Sequence, residues 1–270
     1  MSAPIIEVND LSRTFHTGRG MFQRGQDVQA VKQVTLQVPA GSTFGLVGES
    51  GSGKTTVAKI VCGLESIDSG HVRVADFDLG RLRRRDLKPF RRLTQMVFQD
   101  PLASLNPYWR IGSLVGEGLR IHGLYSPAER RDRVVFLLES CGLTADMMDR
   151  HPHEFSGGQR QRISIARALA VEPKVLVLDE PVSSLDVSIQ AQILTLLQEL
   201  QRQFGLTYLF IGHNLAVVEG LCDRIAVMYR GEVVEEGTTD AVIGRPEHPY
   251  TVRLIAATPV PDPTKRKRIA

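Results

Sequence analysis

The sequence predicts an α/β fold: a mostly parallel sheet flanked by helices, with antiparallel strands before it and a helical region inserted in it. Three observations lead there. Short, largely apolar runs at 43–47, 175–178 and 207–211 have the length and character of strands covered on both faces. Helical patterns alternate with these runs, which argues for crossover connections and parallel pairing. The stretch 101–150 breaks the alternation with apolar residues at helical spacing, first Leu114, Val115 and Leu119, then Val134, Val135, Leu137 and Leu138.

Taken in order, 5–15 and 28–38 read as strands of alternating or β-branched character, joined by a Gly- and Arg-rich hairpin loop at 18–26. The run 43–47 leads straight into glycines, and 54–64 follows as a helix. After the helical region and the run at 175–178, the segment 188–203 carries Ile189, Ile193, Leu196, Leu197 and Leu200 on one helical face, with Ser188 as its expected cap. A closing hairpin is expected from 225–229 and 232–236 across Arg230-Gly231. The predicted division is therefore a core of 1–98 and 163–240 that includes the antiparallel strands, a helical subdomain at 99–162 and a C-terminal extension at 241–270.

Composition supports a globular chain. Of 270 residues, 42% are hydrophobic and 23% charged, enough apolar material for a sizeable core. A net charge of +3 is too small to imply nucleic-acid binding by itself. The positive charge is uneven: Arg81, Arg83, Arg84, Arg85, Lys88, Arg91 and Arg92 crowd one stretch, and a basic tail occupies 265–268. Each reads either as a solvated surface or as attraction to an anionic membrane face. Cys62, Cys141 and Cys222 lie far apart, against a disulfide framework or zinc site and in keeping with a reducing compartment. Residues 1–10 lack a signal pattern, and no stretch approaches the ~18 apolar residues of a membrane span. Any membrane association is expected to be peripheral.

The strongest motif is Gly48-Glu49-Ser50-Gly51-Ser52-Gly53-Lys54-Thr55, followed by Thr56. It fits the phosphate-binding P-loop, G-x-x-x-x-G-K-[ST], with a strand before it and a helix after. Glycines let backbone wrap a phosphate without a Cβ clash, and successive N–H groups aim inward as an anion nest. The helix adds its positive N-terminal end. Lys54 then reaches terminal phosphates and the Thr55 hydroxyl suits Mg²⁺. A second element is the apolar strand that ends in Asp179-Glu180. Alone it is weak, since any strand can end in two carboxylates. Paired with the P-loop, Asp179 is expected to hold Mg²⁺ and Glu180 to act as general base on the attacking water.

Between them, Phe155-Ser156-Gly157-Gly158-Gln159 opens a helix. Ser-Gly-Gly in isolation is an ordinary helix cap. With its context it resembles the L-S-G-G-Q signature of ABC ATPases, Phe155 standing for the leading leucine. The resemblance covers about residues 5–262 and implies a P-loop NTPase (RecA-like) core. It further implies Gln99 as the Q-loop glutamine and a metal-site residue, Ser183-Ser184-Leu185-Asp186 as the D-loop, and His213 as the switch histidine. Phe15 matches the aromatic that stacks on adenine, and Ala30 is placed in the same pocket. On their own, Phe15 and His213 read as structural residues. The resemblance implies ATP and Mg²⁺ as cofactors. It also implies a site completed by the Ser156 motif of a second ATPase subunit, identical or paralogous, and integral-membrane permease subunits as partners.

Further residues are similar to the peptide- and nickel-importer branch: Phe98-Gln99-Asp100-Pro101 followed by Ala103-Ser104-Leu105-Asn106-Pro107, the loop at 18–26, and His248-Pro249-Tyr250-Thr251 with Leu254-Ile255-Ala256-Ala257 and Pro259. That branch implies an ATPase for oligopeptide or dipeptide import at the cytoplasmic face of the inner (plasma) membrane. An extracytoplasmic solute-binding protein is implied indirectly, and nucleic acid is not. With no cysteine after Cys222, no C-terminal iron–sulfur cluster is expected. Asn214 where Asp is common, and Val182 after Pro181, depart from the pattern without removing a catalytic group. The competing readings are an ATPase for another solute, an exporter subunit, or a non-transport ABC ATPase of DNA repair or translation. The last is disfavoured by a single P-loop and no inserted coiled coil.

Overall fold

The computed structural model describes residues 3–16 and 27–257. The expected hairpin loop at 18–26, Pro259 and the basic tail lie outside them.

Strands β1 (Pro4–His16) and β2 (Asp27–Pro39) form the expected antiparallel hairpin, with Phe15 opposite Val28. β3 (Thr43–Val47) is buried at every residue and delivers the chain to the glycine loop and α1 (Lys54–Val61). Three strands carry too short a pattern to be read from sequence: β4 (Ser69–Val74), β5 (Phe77–Asp78) and, after α2 (Leu87–Leu93), β6 (Thr94–Val97). The helical region comprises α3 (Pro101–Ser104), α4 (Ile111–His122), α5 (Pro127–Ser140) and α6 (Gly157–Leu169). α6 runs unbroken past residue 162, so the proposed division at 162/163 falls inside a helix.

The chain then alternates: β7 (Val175–Asp179), α7 (Val187–Phe204), β8 (Thr207–Gly212), α8 (Leu215–Leu221), β9 (Arg224–Tyr229) and β10 (Glu232–Thr238). It closes with α9 (Thr239–Gly244) and α10 (Pro249–Ala257). The expected cap of α7 is corrected. Asp186, in extended geometry, holds the N-cap position, and Ser188 lies within the first turn. The backbone enters the helix one residue before the apolar stripe makes it visible.

Two sheets result. The first is antiparallel, in the order β2-β1-β4-β5. The second runs β10-β9-β3-β8-β7-β6, with parallel pairing from β9 to β6 and β10 antiparallel at one edge. Period-2 alternation assigns its two faces. Leu176, Leu178, Tyr208, Phe210, Ile225 and Val227 join the core beneath the helical region, which also holds Leu114, Leu138 and Ile163. Val175, Val177, Leu209, Ile211, Ala226 and Met228 face a second core shared with α1 and the antiparallel sheet, including Ile6, Val8 and Val57. Both faces are covered, as a parallel sheet requires. In the helical region, Ser126 and Glu129 form a reciprocal capping box on α5, and Ser156 and Gln159 form another on α6.

Candidate functional site: a cleft at the carboxyl ends of the parallel strands

Because β6, β7, β8 and β3 are parallel and adjacent, the residues that follow each strand emerge at one edge. Clefts of open α/β sheets form there. The cleft measures about 950 Å³, and its lining includes Glu49, Ser50, Gly51, Gly53, Lys54, Thr55 and Thr56 after β3. Gln99 joins them after β6, Glu180 after β7, and His213 and Asn214 after β8. Phe15 of β1 and Ala30 of β2 close it from the antiparallel sheet.

The loop after β3 is built on close backbone approach. At Gly53, with φ +105°, a Cβ would sit 2.2 Å from the Ala30 carbonyl oxygen, and at Gly48 one would sit 2.1 Å from that of Met228. Only glycine fits either position. The Ser52 N–H donates to the Glu49 carbonyl (3.2 Å), and those of Thr56 and Val57 donate to the Gly53 carbonyl. Among the described residues, no protein acceptor meets the N–H groups of Gly51, Gly53, Lys54 and Thr55. The buried Lys54 ammonium donates to the carbonyls of Gly48 (2.8 Å) and Glu49 (2.7 Å) and to Ser52 Oγ (3.2 Å). Burial pushes the Lys54 pKa down, while Glu180, Asp179 and Glu49 push it up.

Beside this loop, Thr55 Oγ1 donates to Asp179 Oδ1 at 3.1 Å. Asp179 is buried, which raises its carboxyl above the usual range, and the Thr55 hydroxyl pulls it down. Glu180 turns the chain with φ +46°, a strained conformation for a side-chain-bearing residue, and donates its N–H to the Ile211 carbonyl. Gln99 Nε2 donates to Glu180 Oε2 at 3.1 Å, and His213 Nδ1 lies 3.1 Å from the same oxygen. Gln99 Nε2 also reaches Ser183 Oγ at 3.4 Å, and that hydroxyl donates to the Glu180 carbonyl. The arrangement offers anion-binding amides, one ammonium, a hydroxyl–carboxylate pair of oxygen donors and a carboxylate base.

Gly48, Ser52 and Asp179 stand behind the lining, as scaffold and as partner of Thr55. Ser156, Gly157, Gly158 and Gln159 do not line the cleft. Ser156 and Gly157 are exposed at the start of α6, where Gly158 admits Ile189 so closely that a Cβ would meet its Cγ2 at 2.6 Å. Four residues of the neighbourhood were not among the expected site residues: Asn214, which caps α8 through the Ala216 N–H, and Tyr250, Leu254 and Ala257 of α10. Asn214 had a signal as a departure beside His213. The α10 residues stood out only as part of the importer-like C-terminal stretch and not as site residues, because the contact of Tyr250 with Glu49 spans 201 residues.

Comparison with known proteins places these features among relatives. The ABC transporter family model matches residues 31–183, and the model for the oligopeptide/dipeptide transporter C-terminal region matches 234–270. The chain is 48% identical over 267 residues to the oligopeptide transport ATP-binding protein OppF of Streptococcus mutans, covering 98% of this chain and 85% of that protein. It is 46% identical to the dipeptide transport ATP-binding protein DppF of Lactococcus lactis, covering 98% and 84%. Among solved structures, it superposes on the dimeric post-hydrolysis ATP-binding cassette MJ0796 bound to ADP and Pi with a TM-score of 0.77, at 29% identity over 87% of this chain and 98% of that one. The cbiO1 subunit of a Clostridium perfringens ABC transporter gives 0.78 at 28% identity, over 90% and 92%.

Proposed function

The chain belongs to the ABC transporter family of ATP-binding proteins, and from that premise we propose that it hydrolyses ATP to drive uptake of oligopeptides or dipeptides through a membrane permease. The observation that carries the ATPase reading is the convergence of Lys54, Thr55, Gln99, Glu180 and His213 on one cleft from four strand ends. The solute class is supported by the family match over 234–270 and by the printed names of the relatives.

Phosphates are taken by the unpartnered loop N–H groups and by Lys54, which exchanges carbonyl partners for phosphate oxygens. The base of the nucleotide lies toward Phe15 and Ala30. Thr55 and Asp179 present hard oxygen donors side by side, a pair that fits Mg²⁺, and the Gln99 amide oxygen is read as a further donor to it. When bound, that ion supplies charge neutralisation at the phosphate oxygens. Glu180 takes the proton of the attacking water. Gln99 and His213 hold its Oε2, and among the described residues no hydrogen bond engages Oε1.

Ser156 lies outside the cleft of its own chain, so the reading requires a second ATPase subunit whose Ser156-type motif seals the triphosphate. Partners are then that subunit, the permease and, indirectly, a solute-binding protein; the site of action is the cytoplasmic membrane face. Among the described residues no helix is long and apolar enough to cross a membrane.

Two variants and a reconstitution test the proposal. Lys54→Ala is expected to abolish MgATP binding in a titration of the isolated chain; retained binding refutes the phosphate site. Glu180→Gln is expected to bind MgATP, lose turnover by about 10²-fold or more and trap a closed pair; normal turnover moves the base elsewhere. With its permease in vesicles, the chain is expected to support ATP-dependent uptake of a labelled tripeptide, and co-purification with nucleic acid instead would overturn the transport reading.

A further inference from the structure

Helix α10 reaches back across the molecule to the phosphate loop. Tyr250 is buried, and its ring lies against that of Tyr229, with centroids 4.1 Å apart and planes tilted by 31°. Its hydroxyl oxygen accepts the Glu49 N–H at 3.0 Å. The start of α10 is itself anchored. The Glu235 carboxylate on β10 accepts the N–H groups of Glu247 (2.9 Å) and His248 (3.0 Å), and His248 Nδ1 accepts that of Tyr250 (3.2 Å). One and two turns further along, Leu254 and Ala257 line the cleft.

Both backbone polar groups of Glu49 are therefore held: the N–H by Tyr250, the carbonyl by the Lys54 ammonium and the Ser52 N–H. Gly51 and Gly53, both at positive φ, follow directly. A loop with such freedom presents its N–H groups inward only if its entry is fixed, and a site arranged beforehand binds more tightly because less order is lost on binding.

We infer that Tyr250 is a positioning residue of the nucleotide site: its hydroxyl fixes the loop at Glu49, and α10 thereby makes nucleotide affinity depend on the C-terminal segment. The inference rests on the proposed reading of the loop as a nucleotide site. It assigns the His248-Pro249-Tyr250 segment a task inside the ATPase. By linkage, a nucleotide in the cleft stabilises the docked position of α10 by the same free energy with which α10 favours the nucleotide. Burial raises the Tyr250 phenol, with an opposing pull from the Glu49 N–H, so the hydroxyl stays neutral.

The test is Tyr250→Phe in the full chain, which keeps the ring and removes the oxygen. MgATP affinity, measured well below each variant's melting temperature, is expected to weaken about 3–10-fold, the size of one neutral hydrogen bond. Turnover at saturating MgATP is expected to stay within about twofold, so that KM moves and kcat does not. Amide exchange at Glu49 is expected to accelerate in the variant, and exchange along α10 to slow when MgATP binds the wild-type chain. Val252→Ala, on the exposed side of the same helix, is expected to change none of these. Equal affinity and equal Glu49 exchange in Tyr250→Phe, with wild type binding and Lys54→Ala not binding, overturns the inference and leaves the proposed function standing. Failure of wild type to bind MgATP overturns both.

Discussion

At the scale of single residues, the cleft sets its charge partly on buried groups, Lys54 and Asp179. Lys54 is surrounded by Glu49, Asp179 and Glu180, and its ammonium rests on loop carbonyls. Asp179 carries a cost for its burial, which holds its carboxyl above the ordinary range. A carboxyl raised on folding binds its proton more tightly in the folded chain. Its contribution to stability is full below its unfolded pKa and is lost as pH rises through the folded one. Asp179→Asn removes that loss and leaves the Thr55 hydroxyl an acceptor. The nucleotide-free variant is expected to melt higher than wild type at neutral pH, with about 2–4 °C for each kcal/mol recovered in a domain of this size. The gap is expected to shrink as pH falls, while Mg²⁺-dependent turnover disappears. Thermal scans of both proteins at acid and neutral pH check this, and a lower melting temperature at neutral pH contradicts it.

At the scale of elements, the strand–loop–helix unit of β3 and α1 shows two different reasons for glycine. Gly51 has φ +79° with open space where a Cβ would go, whereas Gly53 has φ +105° and a Cβ there would strike the Ala30 carbonyl at 2.2 Å and Met228 Cε at 2.7 Å. Gly51→Ala is expected to cost only the left-handed conformation, about 1–2 kcal/mol. Gly53→Ala must also move backbone and is expected to cost about 3 kcal/mol or more. Urea unfolding midpoints rank the two, and equal losses would contradict the packing argument. The buried stripe of α7 was legible because its apolar residues recur three to four apart, whereas the capping boxes on α5 and α6, although equally local, emerged only with the structure. β4, β5 and β6 were not, because two to six half-exposed residues carry no period of their own and gain strand geometry only from their neighbours in the sheets.

Across the whole molecule, the cleft and the Ser156 motif are two separate surfaces of one chain, and the proposed function joins them only between chains. Ser156→Arg is expected to leave the MgATP affinity of the isolated chain within about twofold while turnover of the assembled pair is lost. The removed α6 cap is expected to cost about 1 kcal/mol of stability, which a melting curve accounts for separately. Weakened binding in the isolated chain would place Ser156 in its own cleft and dissolve the two-chain site. The two cores meet along the parallel sheet, so one strand order positions both the cleft and the helical region that carries Ser156.

The sequence alone determined the α/β class, the family, the glycine loop between a strand and a helix and the Asp179-Glu180 strand end, since each is written in contiguous residues at a fixed spacing. The tertiary structure decided which of them meet. Gln99 and His213 converge on one oxygen of Glu180 because β6, β7 and β8 are parallel neighbours. Tyr250 reaches Glu49 because α10 folds back over the sheet edge. Contacts between residues this distant depend on strand order and helix docking, which arise from burying apolar faces along the entire chain and leave no local pattern to read.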